Sequence, residues 1–150
     1  MMKYNIIFLD IDGVLNNAHS MMAGPFVLFD PATINRLKEI LTLTDSRIVL
    51  STAWRNNASL KRILINELER KGINRKLIIG QTPDLSIINK KRSDEIIFWI
   101  TKNRNIIKNW VAIDDIDLLK LPRNNVVKTN LLTGLTDKLT GEVISKIIFN

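Results

Sequence analysis

The chain has 150 residues, of which 45% are hydrophobic and 25% charged, a balance that supports one globular core and excludes the disordered class. With no cysteine and one histidine, it cannot have a disulfide framework, a thiolate metal site, a cysteine nucleophile or a metal centre built on several histidines. No apolar run approaches the ~20 residues that span a bilayer. Ile6–Leu9 is too short for a signal peptide, so a single domain over 1–150 and a cytoplasmic setting are the expectations.

Taken in chain order, the first element is a strand over Tyr4–Leu9. It runs into Asp10-Ile11-Asp12-Gly13-Val14-Leu15. The lone histidine, His19, follows in a small, polar stretch that reads as a solvated loop. A Ser-His-Asp mechanism would have to use it. Asp30 and Pro31 read as the cap and first residue of a helix whose inward stripe is Ile34, Leu37, Ile40 and Leu41. A strand over Arg47–Leu50 delivers Ser51. Leu60, Ile63, Leu64 and Leu68 form a second helical stripe that stops at Gly72. A strand over Lys76–Ile79 ends at Gly80, and Ser93 reads as the cap of a helix carrying Ile96, Ile97 and Ile100. Strands over Trp110–Ile113 and Asn125–Val127 run out to Asp114 and Thr129. Thr136 caps a last helix with Leu139, Val143, Ile144 and Ile147 inward.

The five strand segments are apolar on successive residues, which fits strands covered on both faces. Strands alternating with helices predict an α/β domain with a mostly parallel five-stranded sheet. In such sheets ligands bind at the carboxyl ends of the strands, near the point where strand order reverses. Asp10, Ser51 and Asp114 all fall on that edge.

Asp10 and Asp12 lie two apart, so an extended chain can present both carboxylates to one site. Two acids so close at an apolar strand end repel each other and need compensation. A hard divalent cation such as Mg2+ suits them, with Asp114 and Asp115 completing the ligands from a second strand. A lone Asp-x-Asp also occurs in ordinary turns. A second acidic pair ending a second buried strand argues for a site, since burying four acids without compensation is expensive.

These motifs resemble those of the haloacid dehalogenase superfamily of phosphohydrolases, which implies a three-layer Rossmann-like fold. In that likeness Asp10 is the nucleophile and Asp12 the acid and base. Ser51, with Thr52 beside it, matches the hydroxyl motif that holds the phosphoryl group. The basic third motif falls in Lys90-Lys91-Arg92, where Lys91 fits by chemistry and Arg92 is preferred because it fits the narrower pattern below. Asp114-Asp115 matches the acidic fourth motif, which with Asp10 and Asp12 binds Mg2+. The stretches Ser51-Thr52-Ala53-Trp54-Arg55, Gly80-Gln81-Thr82-Pro83, Arg92-Ser93-Asp94-Glu95-Ile96 and Gly134-Leu135-Thr136 resemble, more narrowly, the phosphatase domain of Swiss army knife RNA-repair proteins. Trp54 reads as a core residue, and Arg55 as either a surface residue or a phosphate contact.

The resemblance implies a phosphatase acting through an aspartyl-phosphate. Only Asn16 to Phe29 separates the first motif from the first helix, enough for a flap and not for a cap domain. An essentially capless site is open and suits phosphates on large substrates. Of the 15 acidic residues four belong to the expected site, which leaves 11 against 22 Lys and Arg. That excess favours a phosphate-rich polymer, so nucleic-acid ends lead as substrate, ahead of small phosphometabolites or nucleotides. An idle phosphate-binding module, or one part of a larger repair machine, are the readings from other classes.

Overall fold

The computed structural model describes residues 1–24 and 27–150. Five strands, β1 (Tyr4–Leu9), β2 (Ser46–Leu50), β3 (Ile78–Gln81), β4 (Ile107–Asp114) and β5 (Val126–Lys128), form one sheet in the order β3-β2-β1-β4-β5. All four pairings are parallel. The helices are α1 (Ala18–Met22), α2 (Pro31–Thr44), α3 (Ala58–Arg70), α4 (Arg92–Lys102) and α5 (Asp137–Phe149). None is long and apolar enough to cross a membrane.

The successive apolar residues of the strands divide between two cores. Ile7, Leu9, Ile48, Leu50, Val111 and Ile113 meet Leu37 and Ile40 of α2, Leu64 and Leu68 of α3, and Val143 and Ile147 of α5. Their neighbours Ile6, Phe8, Val49 and Ala112 meet Ile96 and Trp99 of α4, with Leu118 and Leu121. Trp99 and Trp110 both set their rings edge-on to Phe8, at 5.5 and 5.8 Å. The result is the expected three-layer arrangement.

Several boundaries differ from the sequence reading. Asn74 caps a 3₁₀ turn at Arg75–Leu77, so β3 starts two residues later than Lys76 and runs through Gly80 to Gln81. As an edge strand it leaves Ile79 exposed. Leu60, Ile63 and Ile97 are also exposed, since the contact faces of α3 and α4 are narrower than their apolar stripes. Ser93 is not a cap: α4 begins at Arg92 with Lys91 before it, and the Asp94 carboxylate accepts from the Lys91 N–H. His19 is exposed, but on α1 rather than in a loop. Of the flap expected over Asn16 to Phe29, Pro25 and Phe26 lie outside the described residues; α1, capped by Asn17, occupies part of the rest. Among the described residues no inserted domain covers the strand ends.

The chain moves from β1 outward to β2 and β3, then returns to place β4 on the other side of β1. The order therefore reverses between β1 and β4, where a crevice opens in such sheets. Asp10 follows β1, and Asp114 ends β4.

Candidate active site

Backbone hydrogen bonds carry the ladders past the strands and fix the first residues of the crevice. Asp10 N–H donates to Ile113 O at 3.1 Å, Ser51 N–H to Leu9 O at 2.9 Å, and Thr129 N–H to Asp114 O at 2.9 Å. Gly13 then turns the chain with φ +77°, and a Cβ there would lie 2.6 Å from a carboxylate oxygen of Asp115. Only glycine allows both the left-handed backbone and this close approach.

Asp10 (4% exposed) and Asp114 (1%) are buried side by side. One carboxylate oxygen from each of Asp10, Asp114 and Asp115 lies within 4.8 Å of the other two. Arg92 reaches over them from the first residue of α4. Its Nη1 donates to both oxygens of Asp114, at 2.9 and 3.1 Å, and stands 3.3 Å from Asp10 Oδ2. Burial, and then the neighbouring Asp114, push the Asp10 carboxyl up to about 8 against the pull of Arg92. Burial raises Asp114 as well, again opposed by Arg92. A single guanidinium therefore leaves these acids undercompensated. Hard oxygen donors crowded in this way fit a divalent cation with octahedral preferences.

Asp12 takes no part in that group. It is exposed, with Oδ1 accepting from Asn16 Nδ2 at 2.8 Å and Oδ2 from Trp54 Nε1 at 3.1 Å. Thus three of the four expected acids come together, and the fourth, which is exposed, is not part of that group.

Ser51 Oγ is buried and has no hydrogen-bond partner. Such a group costs stability unless something occupies it, and a phosphoryl oxygen would serve. Thr52 beside it is buried, and its Oγ1 caps the 3₁₀ turn Ala53–Asn56 by accepting from Trp54 N–H.

Arg55 is neither a surface residue nor turned to the crevice. It is buried, donating to the carbonyls of Thr82, Thr52 and Pro83 and to Glu95 Oε1 at 3.0 Å. Most of its donors are thereby used within the fold. Lys91 is exposed and forms no ion pair among the described residues; the acids meet Arg92 instead. Trp54 packs against the core but is only half-buried, with its indole N–H on Asp12. In the sequence Asn16 only opens the flap stretch and has no expected role at the site. Its i+4 spacing from Asp12 was the available signal, since a short loop can return that amide to the carboxylate.

An open parallel sheet with acids at its switch point, and a basic residue closing on them from the next helix, defines an α/β domain of the haloacid dehalogenase kind. A family model described as "HAD domain in Swiss Army Knife RNA repair proteins" matches residues 6–139, and the chain belongs to that family. No curated protein and no solved structure gives a significant match. Membership supports a phosphatase-type hydrolase acting on phosphorylated substrates.

Proposed function

We propose that the chain, working as one domain, is a magnesium-dependent phosphohydrolase with Asp10 as nucleophile and Asp12 as acid and base. The observation that carries this reading is the contrast between two carboxylates two residues apart. Asp10 is buried against Asp114 and Arg92, while Asp12 is exposed between two neutral N–H donors. Acids in such different surroundings suit different tasks.

In the first step an Asp10 oxygen bonds to phosphorus as the bond to the leaving oxygen breaks, and Asp12 gives that oxygen a proton. In the second step Asp12 takes a proton from the attacking water. The bond between Asp10 and phosphorus then breaks, releasing phosphate and restoring the carboxylate. Ser51 Oγ and Arg92 donate to the phosphoryl oxygens as their charge shifts. Asp10, Asp114 and Asp115 would hold Mg2+, which when bound neutralises charge on the phosphoryl group.

The metal site is tested by unfolding the protein in chelator and in Mg2+ at pH 5 and pH 8. Asp10 keeps its proton to higher pH when folded than when unfolded, where its ordinary value is 3.8. Its contribution to stability is therefore full below about pH 4 and is lost as pH rises towards 8. In chelator the protein should lose stability across that range. Mg2+ binds the ionised acids, so it should stabilise more at pH 8 than at pH 5; the total stabilisation at a hundredfold excess over Kd is about 2.7 kcal/mol. No shift with Mg2+ at either pH would remove the metal from the proposal.

The substrate we infer is the phosphorylated end of a polynucleotide. An open site gains little from enclosing a small molecule, so it must bind beyond the phosphate, and such remote contacts can raise the rate as well as the affinity. The net charge of +7 favours a phosphate backbone for those contacts. We expect kcat/KM for an end-phosphorylated oligonucleotide to exceed that for the matching mononucleotide at least tenfold at low salt, with the advantage shrinking as salt rises. Equal values at low salt would point to a small-molecule phosphatase.

A further inference from the structure

We infer that Trp54 and Asn16 are positioning residues that aim Asp12 at the leaving group in place of a cap domain. The inference rests on the role proposed for Asp12.

An exposed aspartate ordinarily samples several rotamers, and Asp12 is exposed. Here both of its oxygens are held, each by a different loop. Asn16 belongs to the turn after β1, and Trp54 to the 3₁₀ turn after β2. The orientation of the Asn16 amide is itself determined. Its Oδ1 accepts the Gly13 N–H at 2.9 Å, so only its NH₂ can face Asp12. Asn16 is buried, and its backbone N–H bonds to Ile11 O, which anchors it to the same turn.

Trp54 is fixed differently. Its side chain packs against the core, and its backbone N–H is capped by Thr52. The indole nitrogen carries a donor and no acceptor, and the same holds for the Asn16 amide nitrogen. Neither can take a proton from Asp12. Each carboxylate oxygen keeps a second lone pair, so Asp12 can gain or give a proton without losing either bond. The two donors thus fix the direction of the carboxylate while leaving its proton traffic to substrate and water. Where a cap closes over a site it can enclose and orient the acid from above. Among the described residues no cap domain is inserted, and the loops after β1 and β2 hold Asp12 instead.

Trp54→Phe keeps an aromatic ring on the core and removes the N–H. General acid catalysis matters most for a poor leaving group, and a well-placed acid contributes ~10²–10⁴ in rate. We expect Trp54→Phe to lower kcat/KM at least tenfold for an alkyl phosphate and less than threefold for p-nitrophenyl phosphate, whose leaving group needs little protonation. Equal losses on both substrates would mean a structural role only, and no loss on either would overturn the inference. A second measurement needs no turnover. The protein has three tryptophans, hence three indole N–H signals in a nitrogen–proton correlation spectrum. Trp54→Phe identifies one of them, and Asp12→Ala should move that one and leave the others in place. An unmoved signal would overturn the hydrogen bond itself with the phosphatase proposal intact. A wild-type protein inactive on every phosphate monoester would overturn the phosphatase proposal while the spectrum still reads the bond.

Discussion

Asp10→Asn is expected to abolish phosphatase turnover, with a loss on the order of 10⁶, the scale seen when a nucleophile is removed from another hydrolase. An amide oxygen at this position cannot form and release the covalent phosphate as a carboxylate does. The variant should nevertheless fold at least as well as the wild type in chelator. Burial and the neighbouring Asp114 both work against the Asp10 charge, and the amide removes that conflict while Arg92 keeps its bonds to Asp114. Loss of activity with retained or raised stability is the signature of a group kept for chemistry against the interest of the fold. Measuring kcat beside a urea unfolding curve separates the two effects. An Asp10→Asn protein with full turnover would end the nucleophile assignment, and one that fails to fold would contradict the account of the buried acids.

Much of this arrangement was legible in the sequence because burial dictates it. Ile6 to Leu9 and Val111 to Ile113 are apolar on consecutive residues since both faces of β1 and β4 are covered. The acids that end those runs therefore had to meet at one edge. The position of β3 was harder to read. Leu77, Ile78 and Ile79 are apolar whether the strand begins at 76 or 78, and the Asn74 cap decides the matter through a side-chain hydrogen bond. Between Lys91 and Arg92 composition offers no choice. Helix phase does, because Arg92 is the first residue of α4 and turns back to Asp114, whereas Lys91 remains outside. Trp54 illustrates a different limit. Its bulk marks it for the core, and its ring does pack there, but the one polar atom on the ring has a partner 42 positions away in sequence. Patterns of hydrophobicity place rings, not the direction of a single N–H.

Arg55 was the least legible residue, and the largest stability effect is expected there. Its guanidinium gathers the carbonyls of Thr52, Thr82 and Pro83, then pairs with Glu95 at 3.0 Å, both side chains being almost wholly buried. Glu95 Oε2 accepts in turn from Leu85 N–H. The pair thereby joins the turn that bears Trp54, the loop after β3 and the first turn of α4, which bears Arg92. It sets the spacing between the two walls of the crevice. Removing one partner leaves a buried charge uncompensated, which typically costs ~3–5 kcal/mol. Arg55→Met and Glu95→Leu should each shift the urea midpoint by a corresponding amount. The double variant removes both charges and should cost less than the two single changes added together, giving a coupling energy of ~0.5–3 kcal/mol in a double-mutant cycle. It will not return to wild-type stability, because the carbonyls of Thr82 and Pro83 and the Leu85 N–H lose their partners, while the Thr52 carbonyl keeps the backbone N–H of residue 55. The double variant should also lose activity, since Arg92 and Trp54 then no longer share a rigid frame. Single variants within about 0.5 kcal/mol of wild type, the range of ordinary surface changes, would show that the clamp does not hold the crevice together.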